Sequence, residues 1–152
     1  MKNILNEKDK ATLLNRINSI SENDKGLWGE MNVNQMVCHI TDQLRISINE
    51  IKTVYIGTIL KETLLKRLVL LGMPIPKGKA ETAREIKQGD GGTPPTNLRN
   101  DIKSLIYEIN KFDSKFKQTQ ITKHPTFGNM GKKEWARLVY IHINYHLKQF
   151  GR

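Results

Sequence analysis

Cysteine is nearly absent from this chain. Cys38 stands alone among 152 residues, so no internal disulfide can form and a reducing cytoplasm is the expected setting. Long apolar runs are missing as well. The longest, Leu64 to Gly72, is broken by Lys66 and Arg67 and falls far short of the roughly 18 residues that span a bilayer. The first residues, Met1-Lys2-Asn3-Ile4-Leu5-Asn6-Glu7-Lys8, lack the apolar core of a secretory leader. Neither a membrane partner nor export is expected. Acidic residues are scarce beside basic ones, 15 against 25, for a net charge of +10. Such an excess suits nucleic acid or anionic small molecules. Yet Lys61, Lys77, Lys103, Lys115 and Lys132 are scattered, with no arginine-rich run and no aromatics interleaved with basic residues. That pattern describes a solvated surface rather than a specific nucleic-acid site. The length fits one domain, residues 1–152, with a core of its own.

What the chain does have is helical periodicity. Leu13, Leu14, Ile17 and Ile20 mark a helix over about Glu7 to Ser21. A second begins at Asn32, a good N-cap, and runs to about Ile51 through Met36, Ile40 and Leu44. A shorter piece covers Ile59 to Leu71 and is stopped by Gly72 and Pro74. Residues 72 to 96 read as one long irregular stretch, of a length usually tied to function or mobility. A fourth helix spans about Asn97 to Phe116, and a loop from Thr119 to Met130 precedes the last helix. No strand is expected; Val54-Tyr55-Ile56 is too short to count as one. The fold class is all-α: four long helices, a short extra one and one long crossover describe a four-helix bundle.

The last helix carries the chemistry. At about 100° per residue, Trp135, Leu138, Val139, His142, Tyr145, His146, Gln149 and Phe150 share one face. Trp135 is most simply core. Two imidazoles turned toward a core need partners for four ring nitrogens, and residues i and i+4 lie close enough to share one metal ion. A catalytic site of this kind takes three protein ligands and one open position. His39, at the edge of the second helix's apolar stripe, is the candidate third. The alternative is a core-edge His39 satisfied by a carbonyl or carboxylate, with the C-terminal pair incidental. A zincin reading fails, because Ile143 follows His142 where that motif needs Glu. Cys38 lies roughly 150° from the centre of its helix's apolar stripe and should point away from the histidines.

Trp28-Gly29-Glu30-Met31, Gln35-Met36-Val37-Cys38-His39 and His142-x-x-x-His146 resemble the DinB-like (YfiT-like) superfamily of metal-binding bundles. The tail is more specific: His124-Pro125-Thr126-Phe127-Gly128, Glu134-Trp135 and His142-Ile143-Asn144-Tyr145-His146-Leu147-Lys148-Gln149-Phe150-Gly151 look like one uncharacterised subfamily within it. The resemblance covers essentially the whole chain. It implies a four-helix bundle in which His39, His142 and His146 bind Zn²⁺, Ni²⁺ or a similar divalent ion. Gly131 departs from the pattern, standing where a capping Ser or Thr is expected, at a cost of only a few tenths of a kcal/mol.

Some of these relatives use the metal to activate a low-molecular-weight thiol, so the resemblance suggests a thiol S-transferase or a metal-dependent hydrolase. A basic protein with a cationic centre favours a small anionic or thiol-bearing substrate. His124, before Pro125, reads either as a base or substrate contact or as a hydrogen-bonded loop histidine. Gln43 and Gln149, one turn from His39 and His146, read either as groups that orient ligands or substrate or as polar residues at a bundle end. A non-catalytic, stress-associated binding module with a structural metal is the competing function. A homodimer is among the expected partners, since bundles of this size often pair through an exposed face.

Overall fold

The computed structural model describes residues 1–78 and 82–152. Residues 79–81, within the long irregular stretch, lie outside the described residues. Five α-helices carry most of the fold: α1 (Glu7–Asn18), α2 (Val33–Ser47), α3 (Lys66–Leu71), α4 (Leu98–Lys115) and α5 (Lys132–Gln149). A π-helical turn, Lys61–Leu65, leads into α3, and a 3₁₀ turn, Arg84–Ile86, lies in the connection to α4. Among the described residues, no helix is long and apolar enough to cross a membrane.

Local chemistry sets where the helices begin. The Asn32 side chain accepts from Gln35 N–H while the Gln35 side chain accepts from Asn32 N–H, at 2.8 and 3.0 Å. This reciprocal box satisfies two of the amides that a helix N-terminus leaves orphaned. Asn6 and Asn97 cap α1 and α4 with single bonds to Asp9 and Asn100. At α5, Gly131 offers no side chain, but Glu134 reaches back and accepts its N–H at 3.0 Å. Half of a capping box survives the missing hydroxyl.

The expected all-α class needs correction. Residues read as a loop form an antiparallel hairpin, β1 (Ile121–His124) with β2 (Gly128–Gly131), in the register Thr122↔Met130 and His124↔Gly128. Two four-residue strands are too short for a period of two to show. The turn is Pro125-Thr126-Phe127 followed by Gly128 at φ +65, the glycine-closed three-residue hairpin loop. A Cβ at Gly128 would also run into the Glu62 carboxylate at 2.5 Å. The left-handed backbone therefore favours glycine there, and any side chain would also have to displace the Glu62 carboxylate. The second helix also stops earlier than expected, at Ser47, where the chain turns through Asn49 at φ +64.

α2 packs against α4 and α5, and α1 against α5 and α4. Their shared core is built on Trp135, Phe112, Leu13, Met36, Ile40 and Ile143, all essentially inaccessible. The hairpin closes against α2, where Thr122 Oγ1 donates to the Ser47 carbonyl at 2.8 Å. Arg137 ties α5 to the end of α3 by donating from Nε to the Leu70 carbonyl at 2.9 Å. α2 and α5 are thus fixed side by side, and these two helices carry three of the four histidines.

Candidate metal centre

His39 on α2 meets His142 and His146 on α5. His39 Nε2 and His146 Nε2 each lie 3.1 Å from His142 Nε2, and one ring nitrogen from each of the three falls within 4.8 Å of the others. The rings are steeply inclined, at 64°, 77° and 89° with centroids 4.5–5.0 Å apart, so edges rather than faces converge.

The outer nitrogens decide which tautomer each ring holds. His39 Nδ1 is 3.0 Å from the Ile86 carbonyl, which can only accept, so Nδ1 carries the proton. Gln149 Nε2 donates to the Trp28 carbonyl at 2.5 Å, which turns its Oε1 toward His146 Nδ1 at 2.7 Å. His146 therefore also carries its proton on Nδ1. Both Nε2 atoms then present lone pairs to His142 Nε2. That atom holds one proton at most and can satisfy only one of them. His142 Nδ1 is buried with no hydrogen-bond partner among the described residues.

Protonation does not relieve this. Burial is the main force holding all three imidazoles neutral. It lowers His39 despite the Ile86 hydrogen bond, takes His146 down to about 3, and keeps His142 well below the ordinary range, with repulsion from the neighbouring rings adding to it. Two neutral imidazoles, each backed by an Nδ1–H bond to oxygen, thus aim lone pairs at the point where the third brings its Nε2. A first-row divalent cation takes such a donor set, and hydrogen bonds of this outer kind normally orient metal-bound histidines. His39, His142 and His146 could hold a metal ion, and among the described residues they are the only three-residue group of this kind.

Sequence reasoning named Gln149 for its spacing, and the structure puts it on His146. Gly29, at φ +79, makes that possible, because a Cβ there would lie 2.6 Å from Gln149 Nε2. Gln43 is buried one turn from His39 with Oε1 unpartnered among the described residues. The Ile86 carbonyl was invisible in the sequence, since a backbone acceptor leaves no residue signature. Its position comes from the late half of the long connection. Thr93 donates from N and Oγ1 to the two oxygens of buried Asp42 on α2, at 2.8 and 2.7 Å. A Cβ on Gly91 would lie 2.6 Å from the Arg84 carbonyl oxygen, and one on Gly92 would sit tightly at 3.0 Å from the Ile86 carbonyl.

His124 is not brought into the cluster. Its Nδ1 accepts from the N–H groups of Thr126 and Phe127 at 3.0 and 3.1 Å, and its ring stacks on Phe127 and leans on Trp135. Burial takes its pKa down to about 3. With Nδ1 accepting twice, the neutral ring carries its proton on Nε2, which closes Nδ1 to a base role. Cys38 faces α4, where burial and the Asp101 carboxylate push its thiol up to about 12. Such a thiol is inert.

Sequence reasoning named Tyr145 and Trp28 but did not bring them together with Lys77 beside the cluster. The Tyr145 ring meets His146 edge-on with centroids 5.1 Å apart, its hydroxyl accepts from Trp28 Nε1 at 3.2 Å, and the Lys77 ammonium stands 4.5 Å over the Trp28 ring. Residues 76–78 follow this edge, with Gly78 N–H donating to the Tyr145 hydroxyl at 3.1 Å.

Residues 2–152 match the family described as Protein of unknown function (DUF1569), and the chain belongs to it. No curated protein and no solved structure matches the chain.

Proposed function

We propose that this chain is a metal-dependent enzyme on a DinB-like four-helix bundle, holding Zn²⁺ or Ni²⁺ through His39, His142 and His146. Its substrate is a small anionic or thiol-bearing molecule, and its reaction thiol transfer or hydrolysis. The observation that carries this reading is the pair of 3.1 Å contacts at His142 Nε2, where lone pairs meet with too few protons between them. α1, α2, α4 and α5 around one core, with α3 inside the long crossover, support the bundle assignment.

A divalent ion held by three neutral imidazoles keeps its full charge, lowers the pKa of a thiol or water that reaches it, and polarises carbonyls. The chain's own residues prepare that point. Ile86 and Gln149 fix two rings so that their lone pairs need no reorientation on binding. Lys77, held on Trp28 beside the Tyr145–His146 edge, supplies positive charge for an anionic substrate. His124 braces the loop entering α5.

Cobalt-loaded protein provides the test. Titration with 3-mercaptopropionate should raise a thiolate charge-transfer band at lower concentration than 2-mercaptoethanol, because Lys77 favours the carboxylate. If neither thiol moves the spectrum while cobalt stays bound, the centre is closed and the protein is a structural binding module instead.

A further inference from the structure

The segment between α2 and the long connection exposes an unusual amount of apolar surface. Leu60, Leu64, Leu68 and Leu71, with Ile59 and Val54 beside them, are 36–84% exposed. Buried Val69, with half-buried Leu65 and Leu70, secures the same element to the core from its other side. Tyr55 donates a hydrogen bond to Glu62, so the extended chain carrying Val54 lies against the first turn of this element.

The π turn explains how Leu60, Leu64 and Leu68 come to share one line, with Leu71 one turn further on at its edge. In an α-helix each step of four residues advances by about 40°, so Leu60, Leu64 and Leu68 would fan out by about 80°. Over Lys61–Leu65 the bonding is instead i→i+5, with Lys66 N–H donating to the Lys61 carbonyl. The wider turn takes more residues per revolution and removes much of that drift. Arg67 is left at the flank.

We infer that this leucine stripe is the contact surface for a second copy of the chain, the two stripes crossing antiparallel about a twofold axis. A self-complementary patch is what such an axis requires. At the observed exposures these residues present several hundred Å², the same order as the ~800 Å² each partner gives to a standard interface. A patch of that order stands at the upper end of what a monomer leaves exposed. The net charge of +10 does not prevent pairing. The stripe itself is uncharged, and exposed charges beyond about 8 Å are screened at physiological ionic strength. A membrane surface fits less well. Interfacial helices turn their basic residues to the headgroups and anchor with aromatics. Here Lys66 Nζ turns back to the Asn129 carbonyl at 3.1 Å and to Glu134 at 3.7 Å, and the stripe has no aromatic residue.

Sedimentation equilibrium of the full chain, from about 1 to 100 μM, reads this out. The wild type should be a dimer at the upper end. Leu64→Glu should be a monomer throughout, with unchanged circular dichroism and unchanged metal content, and Leu64→Ala should weaken association at least tenfold. A wild type that stays monomeric at 100 μM, or a Leu64→Glu variant that still dimerises, overturns the inference. So does a monomeric wild type that pellets with phosphatidylserine vesicles and loses that binding on Leu64→Glu, which would assign the stripe to a membrane.

Discussion

His142→Leu should abolish metal binding while changing the stability of the metal-free protein by no more than about 1 kcal/mol. His142 is the only ring whose Nε2 contacts both partners, at 3.1 Å each. Without it, two imidazoles on different helices remain, and two ligands do not hold a first-row ion against water and buffer. In the metal-free state the same side chain gives and takes in equal measure. Its Nδ1 is buried without a partner, and its Nε2 faces at least one lone pair it cannot satisfy. An unmet buried polar group costs about 1–3 kcal/mol; leucine removes the unmet Nδ1 but also the one proton offered to His39 or His146, so the two changes offset, and leucine nearly matches the imidazole in volume. Metal analysis and urea melts of chelator-treated protein read the two arms separately. Leucine that leaves metal content intact, or that destabilises the metal-free protein by several kcal/mol, contradicts this account of the centre.

Acid should unfold the metal-free protein well above the pH at which carboxylates titrate. In the folded state burial takes His124 and His146 to about 3, whereas an unfolded chain titrates its histidines near 6.5. The folded pKa is the lower one. The stability these groups allow is therefore complete above about pH 6.5 and is lost as pH falls from there toward the folded values. One unit below 6.5, each group costs about 1.4 kcal/mol. His124 and His146 together remove about 3 kcal/mol by pH 5.5, a large part of the 5–15 kcal/mol a domain normally has. His39 and His142 are shifted the same way and add to the loss. Urea midpoints at pH 8 and pH 5.5 should differ accordingly. Equal stability at the two values would mean that the imidazoles are not held neutral in the fold.

Much of the centre was legible in the sequence because helical spacing is rigid. Four residues between His142 and His146 put both on one face of α5, and the apolar stripe of α2 placed His39 near enough to the core to be the third. Gln149 followed from the same geometry. What escaped was set by backbone and loops. The Ile86 carbonyl that fixes His39 depends on a 3₁₀ turn held by Thr93 on Asp42, two residues with no motif between them. Lys77 and Trp28 are 49 positions apart by number and meet only because residues 76–78 run along Tyr145. The hairpin was missed because Ile121–His124 and Gly128–Gly131 are too short for alternation to stand out. The π turn at Lys61–Leu65 left no signal in composition, although the leucine spacing it serves is plain in the sequence.

The central claim is that three imidazoles from α2 and α5 form a ready-made cation site. Elemental analysis of the protein purified without a polyhistidine tag tests it most directly. Close to one equivalent of a transition metal per chain is predicted, either as isolated or after addition of Zn²⁺ to chelator-treated protein. Less than about 0.2 equivalents, with no uptake on addition, would contradict it.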